Sequence, residues 1–141
     1  MPHKRIFLLL FLVLNCFANS AIAQSNCGLD PKIDNTVKKA LLNFRESNFE
    51  KSLITSRVAL NHATVAKNNY LIAKSYKIIG GNFNELSEFD KAIFFYQKAL
   101  FYVNKAIGID NENRLYWKRY ATINKALSFF EEAEIGYRKA V

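Results

Sequence analysis

Apolar residues in this chain fall into stripes of helical period, separated by short polar breaks. From residue 69 to 86, Ile72, Tyr76, Ile79, Phe83 and Leu86 follow at spacings of 4, 3, 4 and 3, which puts them on one side of a helix with about 3.6 residues per turn. After a break near Ser87, the rhythm returns in Ala92, Tyr96, Ala99, Val103 and Ala106. So short a break permits only an antiparallel return, and the two stripes predict a helical hairpin. Ile33, Val37, Ala40 and Phe44 form an equivalent stripe ahead of residue 49, and Tyr116, Tyr120, Ile123 and Leu127 form one ahead of residue 130. The prediction is therefore three hairpins in succession. The one strand candidate, "AIFFY", lies inside the middle stripe and lacks flanking turn residues, so the expected fold class is all-α.

The second helix of each hairpin opens on the same pattern. "SNFEKSLITSRVA" begins at Ser47, "SEFDKAIFFYQKA" at Ser87 and "SFFEEAEIGYRKA" at Ser128, intervals of 40 and 41 residues. Repetition at such a period marks a stacked array of supersecondary units. Each serine is followed three residues later by an acid (Glu50, Asp90, Glu131), which predicts a capped helix start with the serine oxygen accepting a first-turn amide. Then come a small residue (Ser52, Ala92, Ala133) and, seven further on, an alanine (Ala59, Ala99, Ala140). Small residues two turns apart share one face and mark a line where neighbouring helices approach closely.

The first residues change the picture of where the chain works. "MPHKR" supplies positive charge, "IFLLLFLVL" an apolar run short for a bilayer, and "ANSAIAQ" the small residues of a cleavage region, so residues 1–23 are expected to be a signal peptide cut after Ala23. An uncleaved anchor and a lipoprotein modified at Cys16 are the alternatives. Residues 24–32, "QSNCGLDPK", lack periodicity and predict a short disordered leading segment. The hairpins then occupy 33–66, 67–110 and 111–141. Cleavage would remove Lys4 and Arg5 and no acid, lowering the net charge from +8 to +6. These charges are spread along every helix, which fits a solvated surface with a bias towards acidic ligands and gives no nucleic-acid stripe. Cys27 would be the single thiol left, so no internal disulfide can form in the mature chain. Its stability must come from packing.

Little in the chain points to catalysis. His62 is the one histidine after the signal segment, so neither a nucleophilic triad nor a histidine metal cluster can be assembled around a second imidazole. Gly80 and Gly81 sit mid-helix and do not form a phosphate loop. Glu131, Glu132 and Glu134 stand at a helix start, where negative charge is favoured without any chemistry. The expectation is a protein with no catalytic residue, no metal and no cofactor.

Over residues 33–141 the pattern resembles the tetratricopeptide repeat family, whose unit is a helix-turn-helix with small and aromatic residues at set places. The middle unit matches throughout, with Tyr76, Ile79, Gly80, Phe83, Ala92, Tyr96 and Ala99. The last matches at Trp117, Ala121, Ala133, Tyr137 and Ala140, with Tyr120 and Asn124 looser. The first keeps Ala40 and Ala59 but has Thr36, Asn43, Ser52 and Ser56 in place of the preferred types. The repeat is longer than the family's 34 residues, and the added length would extend the helices. The third unit stops at Val141 with no polar capping helix after it, and the expectation is either that the chain is a fragment or that another molecule, a second copy included, covers the apolar end.

The resemblance implies a solenoid of stacked hairpins whose first helices line a concave, peptide-binding groove. The groove positions fall on Arg45, Lys74, Lys77, Asn84, Lys118 and Lys125. That basic set implies an acidic protein segment or a chain carboxylate as partner, although Ile78, Gly81 and Leu115 stand where chaperone-binding relatives carry polar or basic groups. The function implied is an exported, periplasmic or secreted, protein-binding module or scaffold, with no membrane contact by the mature segment. The alternative is the extracytoplasmic sensor portion of a larger signalling protein, such as a histidine kinase or a transcription regulator.

Overall fold

Six α-helices and no strand make up residues 30–141, the part of the chain that the computed structural model describes. The expected signal peptide, residues 24–29 of the leading segment and Cys27 lie outside the described residues. The helices are α1 (Pro31–Arg45), α2 (Phe49–Val65), α3 (Asn69–Glu85), α4 (Phe89–Ile109), α5 (Arg114–Ala126) and α6 (Phe130–Lys139). Helix α1 starts two residues earlier than the periodicity implied. Pro31 suits the first helical position, where its fixed φ fits and its missing N–H goes unneeded.

Four of the five connections are one and the same turn. Ser47, Lys67, Ser87 and Ser128 have φ of 59°, 54°, 60° and 64°, the left-handed conformation that ends a helix. In the first turn Ser47 N–H donates to Phe44 C=O at 3.0 Å and Asn48 N–H to Asn43 C=O at 2.9 Å. The same pair of bonds recurs at Lys67/Asn68, Ser87/Glu88 and Ser128/Phe129. The three serines expected to cap the following helix therefore terminate the preceding one. Asn48, Glu88 and Phe129 occupy the cap positions without side-chain cap bonds. Side-chain caps occur at two asparagines instead: Asn68 Oδ1 accepts from Leu71 N–H at 3.0 Å, and Asn113 Oδ1 from Leu115 N–H at 3.1 Å. The fifth connection is tied by Trp117, whose indole N–H donates to Asn111 C=O at 2.6 Å.

Each helix packs on the next, and the first helices of adjacent hairpins (α1 with α3, α3 with α5) also meet. Among the described residues the second helices, α2, α4 and α6, make no such close backbone approach to one another. Closer approach on one side than the other curves the stack, with α1, α3 and α5 on the inside. The molecule is thus an all-α helical repeat.

Of the small residues spaced seven apart, Ser52, Ala59, Ala92, Ala99 and Ala133 are buried where the helices approach, and Ala40, Ala73 and Ala121 of the first helices are fully buried with them. Gly80 lies under the Tyr96 ring, and the half-buried Tyr76 ring stacks on Phe95 and Tyr102 at 6.1 and 5.8 Å. Ile79, Phe83 and Ala92 complete that cluster.

In the last hairpin the arrangement departs from expectation. Tyr137 is 39% exposed, Ala140 is only partly buried, and the glycine comes from the second helix: a Cβ on Gly136 would stand 2.9 Å from both Ala121 Cβ and Tyr120 Cδ1. The middle hairpin lays a tyrosine of its second helix over a glycine of its first, and the last hairpin exchanges those roles. Leu86, expected in the α3 stripe, has left the helix and is exposed. Tyr116, 3% exposed, enters the core as the apolar stripe predicts, whereas Trp117, the position matched to the family pattern, stays half-buried with its ring edge-on to Tyr120.

Ser52, one of the atypical polar residues of the first hairpin, has a physical reason. Ser52 Oγ donates to Ala40 C=O at 2.9 Å, and Asn82 Nδ2 donates to Ser52 Oγ at 2.9 Å and to Ile78 C=O at 2.8 Å. A buried polar thread thus joins α1, α2 and α3, and Ser52 supplies its middle atom.

Candidate functional site

The inner surface of the stack is built by α1, α3 and α5, whose 3.6-residue period brings one side chain per turn to that face. Lys74 of α3 and Arg119 of α5 meet there at the Tyr70 ring, and Lys77 of α3 lies near enough to Arg119 to feel its charge. Lys74 Nζ lies 5.7 Å and the Arg119 guanidinium carbon 6.0 Å from the centre of that ring. Tyr70 itself packs against Tyr116 at 5.1 Å, so its orientation is set by the core beneath. Cations placed over an aromatic face gain electrostatically from the ring quadrupole, more so where water is partly excluded.

The three cations differ in what neutralises them. Lys74 is satisfied: its ammonium donates to Asp34 of α1 at 2.7 Å, and Lys38 reaches the other oxygen of the same carboxylate at 2.9 Å. Burial alone would raise the Asp34 pKa, but hydrogen bonds and charge from Lys74 and Lys38 outweigh it and hold the carboxyl below its ordinary value. Lys77 makes no ion pair within the described residues, and burial, helped by the positive charge of Arg119, pushes its pKa down to about 8. Arg119 Nε is buried with no hydrogen-bond partner among the described residues. An unpaired guanidinium nitrogen beside a destabilised ammonium is a position of unmet positive charge.

The six positions that the sequence selected are thus unequal. Lys74 is engaged in the Asp34 pair, Lys77 forms half of the uncompensated cation pair, and Arg45, Asn84, Lys118 and Lys125 are exposed. Sequence reasoning missed Arg119, Tyr70 and Asp34. Asp34 and Lys74 stand 40 residues apart, one repeat, and that interval was the signal through which the pair was findable. Arg119 follows Lys118 directly, and nothing in the periodicity distinguishes which of the two turns inward.

His62 is exposed near the end of α2, and no group of three or more His, Cys, Asp or Glu among the described residues could hold a metal. Nor, among those residues, is any helix long and apolar enough to cross a membrane. Compared with protein-family models and with curated proteins, the chain matches none.

Proposed function

We propose that this chain is an exported protein-interaction module of the tetratricopeptide type, which captures an acidic segment or a chain carboxylate on its inner face and performs no chemistry on it. The observation that carries this reading is the Lys77/Arg119 pair: two adjacent cations on the inner face, with Arg119 Nε buried and unpartnered among the described residues. A carboxylate bound there would accept from the guanidinium and restore full charge to Lys77, forming charge-assisted hydrogen bonds where water is partly excluded. Lys74 and Asp34 hold the rim in place without competing for the ligand, since each already has its partner.

The test is fluorescence anisotropy with a labelled acidic peptide, free or amidated at its carboxyl terminus, against the wild type and the double variant Lys77→Met/Arg119→Met. Binding should weaken by about tenfold or more in the variant, the scale of losing a charged hydrogen bond. Its thermal midpoint should not fall. Equal affinity of both proteins for the peptide rejects the site.

A further inference from the structure

The outer helix α4 carries a duplication unrelated to its buried stripe. "FFYQK", from Phe94 to Lys98, returns seven residues later as "FYVNK", from Phe101 to Lys105. The two copies build the same object. Phe94 and Phe101 are 52% and 53% exposed. Each is braced edge-on by the next ring, Phe94 by Phe95 and Phe101 by Tyr102, both at 5.2 Å. Each is covered on its face by the lysine four residues on, with Lys98 Nζ 5.4 Å and Lys105 Nζ 4.6 Å from the ring centres. Between the copies lies a groove of about 260 Å³ lined by Phe94, Gln97, Lys98, Phe101 and Tyr102.

Helix α4 already commits one stripe, Ala92, Tyr96, Ala99, Val103 and Ala106, to the core. Phe94, Lys98, Phe101 and Lys105 form a second at spacings of 4, 3 and 4, and among the described residues only the backbones of α3 and α5 come close to α4. A seven-residue period on an exposed helix face has a use when another helix lies along it, because only then do knobs and holes recur in step. A lipid surface has no such register, and an extended chain advances about 3.3 Å per residue, out of step with helical turns. The charge is of one sign: no acid occurs in α4 between Asp90 and its C-cap Asp110. Two copies of this face would bring lysine against lysine.

We propose that the outer face of α4 docks an acidic amphipathic helix from another protein. Its apolar residues recur every seven positions and enter the groove between Phe94 and Phe101, and its flanking carboxylates pair with Lys98 and Lys105. This surface lies on the outer layer and is independent of Lys77 and Arg119.

The probe is a synthetic acidic helix of about four heptads, Leu at its core positions and Glu beside them, compared with a scrambled peptide of identical composition. The whole chain should bind the ordered peptide saturably. Affinity should fall by about tenfold or more in Phe94→Ser/Phe101→Ser and in Lys98→Glu/Lys105→Glu, and should be unchanged in Lys77→Met/Arg119→Met. Equal binding of the scrambled peptide would overturn the proposal. So would capture by phosphatidylglycerol vesicles without capture of the peptide, or a dimer in sedimentation equilibrium that the phenylalanine changes abolish. Unaltered circular dichroism in the variants separates lost docking from lost fold.

Discussion

Gly80 sits so close beneath the Tyr96 ring that a Cβ built on it would stand 2.8 Å from Tyr96 Cδ1 and 3.2 Å from Ala92 C=O. The contact sets the distance between α3 and α4, because the ring is buried and the carbonyl belongs to a rigid helix. Gly80→Ala should therefore destabilise the fold. Overpacking of about 1 to 3 kcal/mol exceeds the roughly 1 kcal/mol that alanine gains in helix propensity. Gly108, also helical, has nothing within 4 Å of the place its methyl would take, and Gly108→Ala should stabilise by up to about 1 kcal/mol. Opposite shifts in urea midpoint check the pair, and equal shifts would mean that the Tyr96 contact sets nothing.

The left-handed serines make a second prediction that separates two roles. A serine capping the next helix would lose stability on replacement. Ser87, at φ 60° with its turn closed by backbone bonds, should instead gain up to about 1 kcal/mol in Ser87→Gly, because glycine adopts that conformation without steric cost. Ser87→Val should cost about 1 to 2 kcal/mol, since a β-branched residue is crowded there. Thermal midpoints of both variants decide the matter.

Ser52 links two hairpins, and removing it should be felt at both. Ser52→Ala leaves Asn82 Nδ2 with Ile78 C=O alone and takes a donor from Ala40 C=O, at a cost of about 1 to 3 kcal/mol. Asn82 Oδ1 is already buried without a partner among the described residues. Adding Asn82→Leu should therefore recover much of the loss, because removing both ends of a buried hydrogen bond is cheaper than removing one. A double-mutant cycle in chemical denaturation reads that coupling directly.

The depressed pKa of Lys77 fixes the sign of a pH effect. Folded, the ammonium loses its proton near pH 8; unfolded, it holds that proton to about 10.5. Between those values the unfolded state binds more protons, so this group makes stability rise with pH, and its cost is fully present below 8. Tyr76 and Tyr96 act oppositely, since burial raises both phenols above their ordinary 10.0 and stability should fall beyond it. Urea unfolding from about pH 7 to 10 should show the rise in the wild type and a flatter profile in Lys77→Met. Binding of an anion beside Lys77 should make Lys77 take up a proton near pH 8, visible in calorimetry as a dependence on the buffer's ionisation enthalpy.

Six helices, their order and, apart from Leu86 and the face of α6, their buried faces were legible in the sequence, because a 3.6-residue apolar period and short polar breaks leave a chain few alternatives. Ala40, Ala59, Ala92 and Ala99 could be placed on contact lines for the same local reason, since residues seven apart share a face whatever the rest of the molecule does. Three things required the tertiary structure. Ser87 serves the helix before it because the backbone reversal must be left-handed, and the same serine-to-acid spacing would suit either role. The glycine contact passes from Gly80 to Gly136 because close approach is a property of the helix pair and either partner can supply the missing side chain. Lys77 and Arg119 become neighbours through the docking of α5 on α3, and no periodicity within one helix encodes the angle at which the next hairpin arrives.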